Sequence, residues 1–226
     1  MQYCIQAPET GEAVVPLFDV PEFRQRLLRF EGEGEERRDD ERDEVLYVLD
    51  GSAVATVGGH THRLERGTGF FVARGTPWSI ASAEGLLLLS VLVEEPLAAT
   101  SSHAVVESGE RGPATAGREF TLLAQPENGC ESVTQFVGYI PPGRAPDHFH
   151  RYDEVVYIVA GEGAFHVDGE SAMLRPGSCI HLPARLIHCL ENHGPGEMRV
   201  LGVFRPAGSP AEAYYPDGSA AVVPAV

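Results

Sequence analysis

The chain matches itself. Sliding its 226 residues along by 110 positions lays Asp43-Glu44-Val45-Leu46-Tyr47-Val48-Leu49 on Asp153-Glu154-Val155-Val156-Tyr157-Ile158-Val159, and Gly51 on Gly161. The register continues without a gap: Val57 falls on Val167, Gly59 on Gly169, Leu64 on Leu174, Gly67 on Gly177 and Pro96 on Pro206. Turn glycines and apolar positions that recur in one register mark a duplicated module. The runs between the glycines are short, alternating and rich in β-branched and aromatic residues, which predicts strands. The chain therefore reads as all-β, with one module in residues 1–98 and a second in 120–206. Phe23 to Phe30 is expected to be a strand by analogy with its repeat partner. Residues 99–119, rich in Ala, Ser, Thr, Gly and Glu, read as a connector in which Val105-Val106 can pair as a strand. Residues 207–226, with Pro210, Pro216 and Pro224, read as a tail that Tyr214 and Tyr215 pin to the barrel or to a neighbouring subunit.

The chemistry concentrates in the second copy, at His148-Phe149-His150-Arg151-Tyr152-Asp153-Glu154 and at His188. On a strand, side chains alternate, so His148 and His150 share a face that Phe149 does not. After a short bend, the strand opening at Glu154 brings a carboxylate to the same point. His188, beyond a turn at Pro183-Ala184-Arg185, arrives on a returning antiparallel strand from the opposite wall. Three imidazoles and one carboxylate suit a first-row divalent metal and leave positions open for water, oxygen or substrate. A closed structural zinc site would be tetrahedral and often thiolate-rich.

At these residues the sequence resembles the cupin superfamily. Its first motif appears as Gly143, His148, His150, Glu154 and Gly161, with the gap after Gly143 one residue shorter than usual. Its second appears as Pro183, His188 and Asn192, with Arg185 where a glycine is usual. The resemblance implies two tandem jelly-roll (double-stranded β-helix) barrels, the second holding one divalent transition metal ion (Fe, Mn, Ni or Zn) through His148, His150, Glu154 and His188.

The repeat register also shows what the first module lacks. Arg38, Asp40, Glu44 and Trp78 stand where the second has its four ligands. A guanidinium cannot ligate and an indole only donates, so this module is expected to be metal-free, with Arg38 in an internal ion pair. Two readings of it stay open: a structural partner that covers the second module or builds a homodimer, or a small-ligand pocket with Arg38 meeting an acidic group and Trp78 as an aromatic wall. His60 and His62 form a further HxH, expected at a hairpin turn and exposed.

Composition removes other classes. A formal charge of −16 argues against nucleic acid or anionic membrane as partner. All 17 basic residues are arginines, so no lysine exists to form a Schiff base. Cys4, Cys130, Cys179 and Cys189 show no CxxC spacing and are expected to be free and buried. The N-terminus has no signal-like apolar stretch, and the run around Leu86–Leu89 is too short to span a bilayer. A cytoplasmic location follows as the default.

Alternation places Val156 and Ile158 with Glu154, and Leu190 with His188, as lining for a mostly apolar pocket that takes a small molecule. His166 and His181 are candidates for a polar surround or an acid-base role. Arg144, Arg151 and Arg185 flank the motif and could clamp a carboxylate. The three-histidine, one-glutamate set resembles that of quercetin and acireductone dioxygenases, and a dioxygenase-type oxidoreductase is the expected activity. Non-redox isomerase, lyase or decarboxylase chemistry and non-catalytic ligand binding are the alternatives.

Overall fold

Strands of alternating apolar residues with glycine turns between them give sheets and almost no helix. In the computed structural model, residues 1–97, 103–106 and 110–221 are described, and two single-turn 3-10 segments, Thr115–Gly117 and Pro126–Asn128, are the helical elements among them. Contacts divide the chain into two compact units. One comprises Pro8–Gly109 with Leu123–Val133; the other comprises Met1–Ala7, Glu110–Leu122 and Thr134–Val226. Each is a jelly-roll barrel of antiparallel strands.

In the first unit a seven-stranded sheet is built on two long strands, Asp43–Val57 and Trp78–Val93, which pair along most of their length. The pairing shifts register near Asp50, where the strands bend to close the barrel. Phe23–Phe30 is a strand, paired with Trp78–Val93, and His103–Val106, which contains Val105-Val106, pairs with Gly69–Val72. Of the expected connector, 99–102 and 107–109 lie outside the described residues, as do residue 98 and the tail beyond 221, while 110–119 carries strand Gly112–Pro113 and the Thr115–Gly117 turn. The core packs Phe30, Leu46, Val48, Phe70, Trp78 and Leu88, among others, inside the barrel.

The second unit folds into a seven-stranded and a four-stranded sheet. Asp153–Ala160 lies in the larger sheet between Ser178–Leu182 and Met198–Arg205, while His188–Asn192 lies in the smaller one beside Gly163–Val167. Strand Cys4–Gln6 adds to the edge of the larger sheet. Val156, Ile158, Phe165, Ile180, Leu190 and Val200 belong to the core between the sheets. The repeat glycines Gly51 and Gly161 both hold left-handed φ, 77° and 88°. A Cβ at either would collide with backbone, of Gly85 and of Met198 respectively, so the same turn is imposed twice by the same residue type.

The four cysteines are free, and Cys130, Cys179 and Cys189 are buried. His60 is exposed but opens a strand, His60–Glu65, after a turn at Gly58-Gly59; His62 on that strand is half-buried. No helix among the described residues is long and apolar enough to cross a membrane.

Candidate metal centre

The site is assembled by backbone pairing before any side chain is considered. His148 and His188 form an isolated antiparallel bridge, each amide donating to the other's carbonyl at 2.9 Å. His150, two residues along, projects to the same face. The ligand nitrogens of His148, His150 and His188 all lie within 4.8 Å of one another, with ring centroids 4.7 to 5.3 Å apart.

Each ring is turned the same way by a carbonyl oxygen. Nδ1 of His148 meets Pro146 O at 2.9 Å, Nδ1 of His150 meets Glu212 O at 2.8 Å, and Nδ1 of His188 meets Leu186 O at 2.9 Å. A carbonyl can only accept, so all three Nδ1 atoms carry the proton. The three Nε2 lone pairs are thereby left for a cation, the arrangement typical of metal-binding histidines. Burial pushes His148 down to about 4 and His150 to about 3, the neighbouring cations adding to the effect, and holds His188 well below its ordinary value. Near neutral pH the imidazoles are therefore uncharged, with their Nε2 lone pairs free to meet a cation.

Glu154 lines the same pocket but stands outside the 4.8 Å group. Its carboxyl is buried and pushed up to about 8 by desolvation, against the pull of Arg118. No hydrogen bond or ion pair from a described residue meets it. The repeat supplies the contrast. Glu44, its counterpart, is held by the Arg26 guanidinium at 3.0 Å and by a short hydrogen bond from the Ser90 hydroxyl. The corresponding positions in the second module are Phe136 and Val200, and both line the pocket. Gly202 gives the carboxylate its room, since a Cβ there would stand 2.6 Å from Glu154 Oε1. A donor set of three neutral imidazoles and a buried carboxyl lacking a protein partner fits a divalent cation.

The pocket encloses about 70 Å³, room for roughly five waters. Phe136, Ile140, Val156, Leu182, Leu190 and Val200 form its apolar wall. Tyr152 completes it, stacked between His150 (4.7 Å, 8° between planes) and Phe204 (3.9 Å). Tyr152 shares the parity of His148, His150 and Glu154, so alternation alone would have found it.

Neither His166 nor His181 lies here. His166 bonds Glu191 at 2.8 Å, and His181 bonds Asp153 at 2.7 Å, each on the strand face turned away from the pocket. The acid-base role considered for them is thus replaced by a local one; Asp153, which also accepts from the Ala184 amide, ties the bend at Glu154 to the turn before His188. The flanking arginines are elsewhere too. Arg144 reaches Asp147 and Cys189, and Arg151 lies over the Tyr214 ring. Arg185 occupies the left-handed region at φ 67°, which explains the family's usual glycine at that position.

The tail does pin to the barrel through Tyr214, which bridges Phe149 by backbone pairing and stacks on its ring at 5.5 Å. It also carries Glu212, whose carbonyl orients His150, a contribution no local pattern in the sequence announced. In the first module Arg38 pairs with Asp40 at 2.6 Å on the surface, and Trp78 is buried edge-on between Phe30 and Phe70. The pocket considered for Arg38 and Trp78 is therefore replaced by packed core, because the indole fills the space where His188 stands in the other barrel.

A barrel of this topology with converging histidines defines the cupin class, and comparison with known proteins agrees. The Cupin domain family matches residues 27–92 and again 136–204, once in each module. The chain is a two-module member of the cupin family. Quercetin 2,3-dioxygenase of Bacillus subtilis (strain 168) is 30% identical over 111 residues, 45% of this chain and 32% of that enzyme. Polyketide synthase CurC of Streptomyces cyaneus is 32% identical over 83 residues, 36% of this chain and 54% of that one. The chain thus matches between about a third and a half of the length of these relatives. Among solved structures, a point variant of oxalate decarboxylase OxdC of Bacillus subtilis superposes with TM-score 0.70 at 16% identity, covering 95% of this chain and 79% of that one. Protein Ylba of E. coli does so with TM-score 0.71 at 15% identity, covering 91% and 88%.

Proposed function

We propose that this chain is a metal-dependent enzyme of dioxygenase type, acting on a small organic molecule at a single divalent transition metal ion held by His148, His150, His188 and Glu154. The observation that carries the reading is the common orientation of the three imidazoles: three carbonyls fix three tautomers so that three lone pairs meet at one point in a largely apolar pocket. A bound ion would supply Lewis acidity and open positions for a substrate oxygen and dioxygen.

The protein's own residues do the rest. The carbonyls of Pro146, Leu186 and Glu212 keep the rings from turning. Tyr152, wedged between His150 and Phe204, keeps the second ligand from swinging toward the wall. Phe136, Val156 and Val200 exclude water from the carboxyl of Glu154, which carries a proton until a cation displaces it. That carboxyl and the Tyr152 hydroxyl line the pocket beside the histidines and can hold a proton near a reacting atom. Similarity to quercetin 2,3-dioxygenase supports the redox form of the reading.

The test is oxygen uptake by iron-loaded protein over a panel of enols, catechols and 2-oxo acids. Uptake that disappears in the His148→Ala protein supports the proposal. Turnover under nitrogen without uptake would replace it with isomerase, lyase or decarboxylase chemistry. Metal and ligand binding with no turnover in either atmosphere would replace it with a binding protein.

A further inference from the structure

Arg118, at the end of the expected connector, follows the Thr115–Gly117 turn and leads into strand Glu119–Ala124. It lines the same pocket as the three histidines and Glu154. Among the described residues its guanidinium makes one hydrogen bond, from Nη2 to the carbonyl of Leu190 at 3.3 Å. No Asp or Glu among the described residues forms an ion pair with it, whereas Arg26, Arg42 and Arg111 all have carboxylate partners.

That combination is costly without a ligand. A guanidinium stays protonated, offers five donors in a planar fork, and is disfavoured in a poorly hydrated place unless an anion meets it. Its charge reaches the cavity, acting on Glu154 and on each of the three histidines. With a divalent cation bound and Glu154 ionised, the pocket is net positive inside a chain whose overall charge is −16. The apolar wall of Phe136, Ile140, Val156 and Leu182 lies beside these charges, in a volume of about 70 Å³.

We propose that Arg118 binds the carboxylate of the molecule handled at this site, so that its substrate class is a small organic acid: carboxylate on the guanidinium fork, a few apolar carbons against the wall, and an oxygen directed at the histidine cluster. The first two contacts are independent of the metal; only the third rests on the proposed function. A planar two-bond contact between Arg118 and a carboxylate discriminates acid from amide, because the amide offers one acceptor and no charge.

Calorimetric titration of zinc-loaded and EDTA-treated protein with benzoate and 2-oxobutyrate, each beside its amide, tests this. In the wild type the acids should bind at least tenfold more tightly than the amides. Arg118→Gln should cost each acid at least tenfold more affinity than it costs the amide, closing the gap between them, while leaving zinc content unchanged, and Arg118→Lys should restore part of the difference. Equal binding of acid and amide by the wild type, no binding of either acid, or full acid affinity in Arg118→Gln would overturn the proposal. The wild-type comparison decides alone if Arg118→Gln does not fold. Acid selectivity that depends on Arg118 in a protein that takes up no zinc would sink the metal reading and leave this one standing. Zinc uptake without such selectivity would do the reverse.

Discussion

Glu154 carries a carboxyl with a pKa of about 8 in the metal-free fold, against 4.5 for an ordinary glutamate. An acid whose pKa is raised by folding holds its proton in the native state while the unfolded chain gives it up, so stability present below pH 4.5 is lost as pH climbs toward 8. At pH 7 the unfolded carboxyl is 2.5 pH units above its pKa and the folded one still protonated, which costs about 3 kcal/mol. At pH 5 the same linkage gives about 0.8 kcal/mol. Glu154→Gln removes the ionisation and keeps the shape. The metal-free variant should therefore gain on the wild type by about 2–3 kcal/mol between pH 5 and pH 7. With zinc bound the order should reverse, because the wild type then has its anionic ligand and the variant does not, with metal affinity in the variant down ~100-fold. Urea unfolding of EDTA-treated proteins followed by circular dichroism measures the first effect, with the lone Trp78 reporting the first module separately. A stability difference that stays flat from pH 5 to pH 7, or that moves in favour of the wild type, would show Glu154 ionised without a metal, held by Arg118 at longer range, and would refute the desolvation argument.

Tyr214→Ala removes the ring that stacks on Phe149 and lies under Arg151 but keeps the backbone bridge; it should cost about 1–2 kcal/mol and loosen the Glu212 carbonyl enough to weaken zinc binding up to ~10-fold in chelator competition. Unchanged affinity would show that the tail does not steady His150. In the first module, Arg26→Ala leaves the buried Glu44 with only the Ser90 hydroxyl; the loss should be about 2–3 kcal/mol by Trp78 fluorescence, and a loss below ~0.5 kcal/mol would reduce the pair to surface grade.

Much of this protein was written locally. A period of two along a strand put His148, His150 and Glu154 on one face and Val156 with them, and the cross-strand arrival of His188 followed from a hairpin-length return. The 110-residue self-match carried the fold from one module to the other, down to the paired glycines Gly51 and Gly161. Alternation also contained Tyr152 and the outward direction of His166 and His181, although residue type drew attention to those histidines first.

What alternation could not supply is which distant segments close on the site. Arg118 comes from a stretch with no counterpart in the repeat, Glu212 from the tail, and neither has a pattern that points to a pocket. The same holds for Glu44 and Glu154, alike in local sequence yet set among different neighbours. One is met by the Arg26 guanidinium and the Ser90 hydroxyl from neighbouring strands; the other faces Phe136 and Val200, and burial pushes its carboxyl up to about 8. Sequence by itself determined the faces and the residue types that converge, because side-chain direction on a strand is a property of the strand. Only the tertiary structure decided charge, tautomer and access, because those depend on what is packed within a few ångströms.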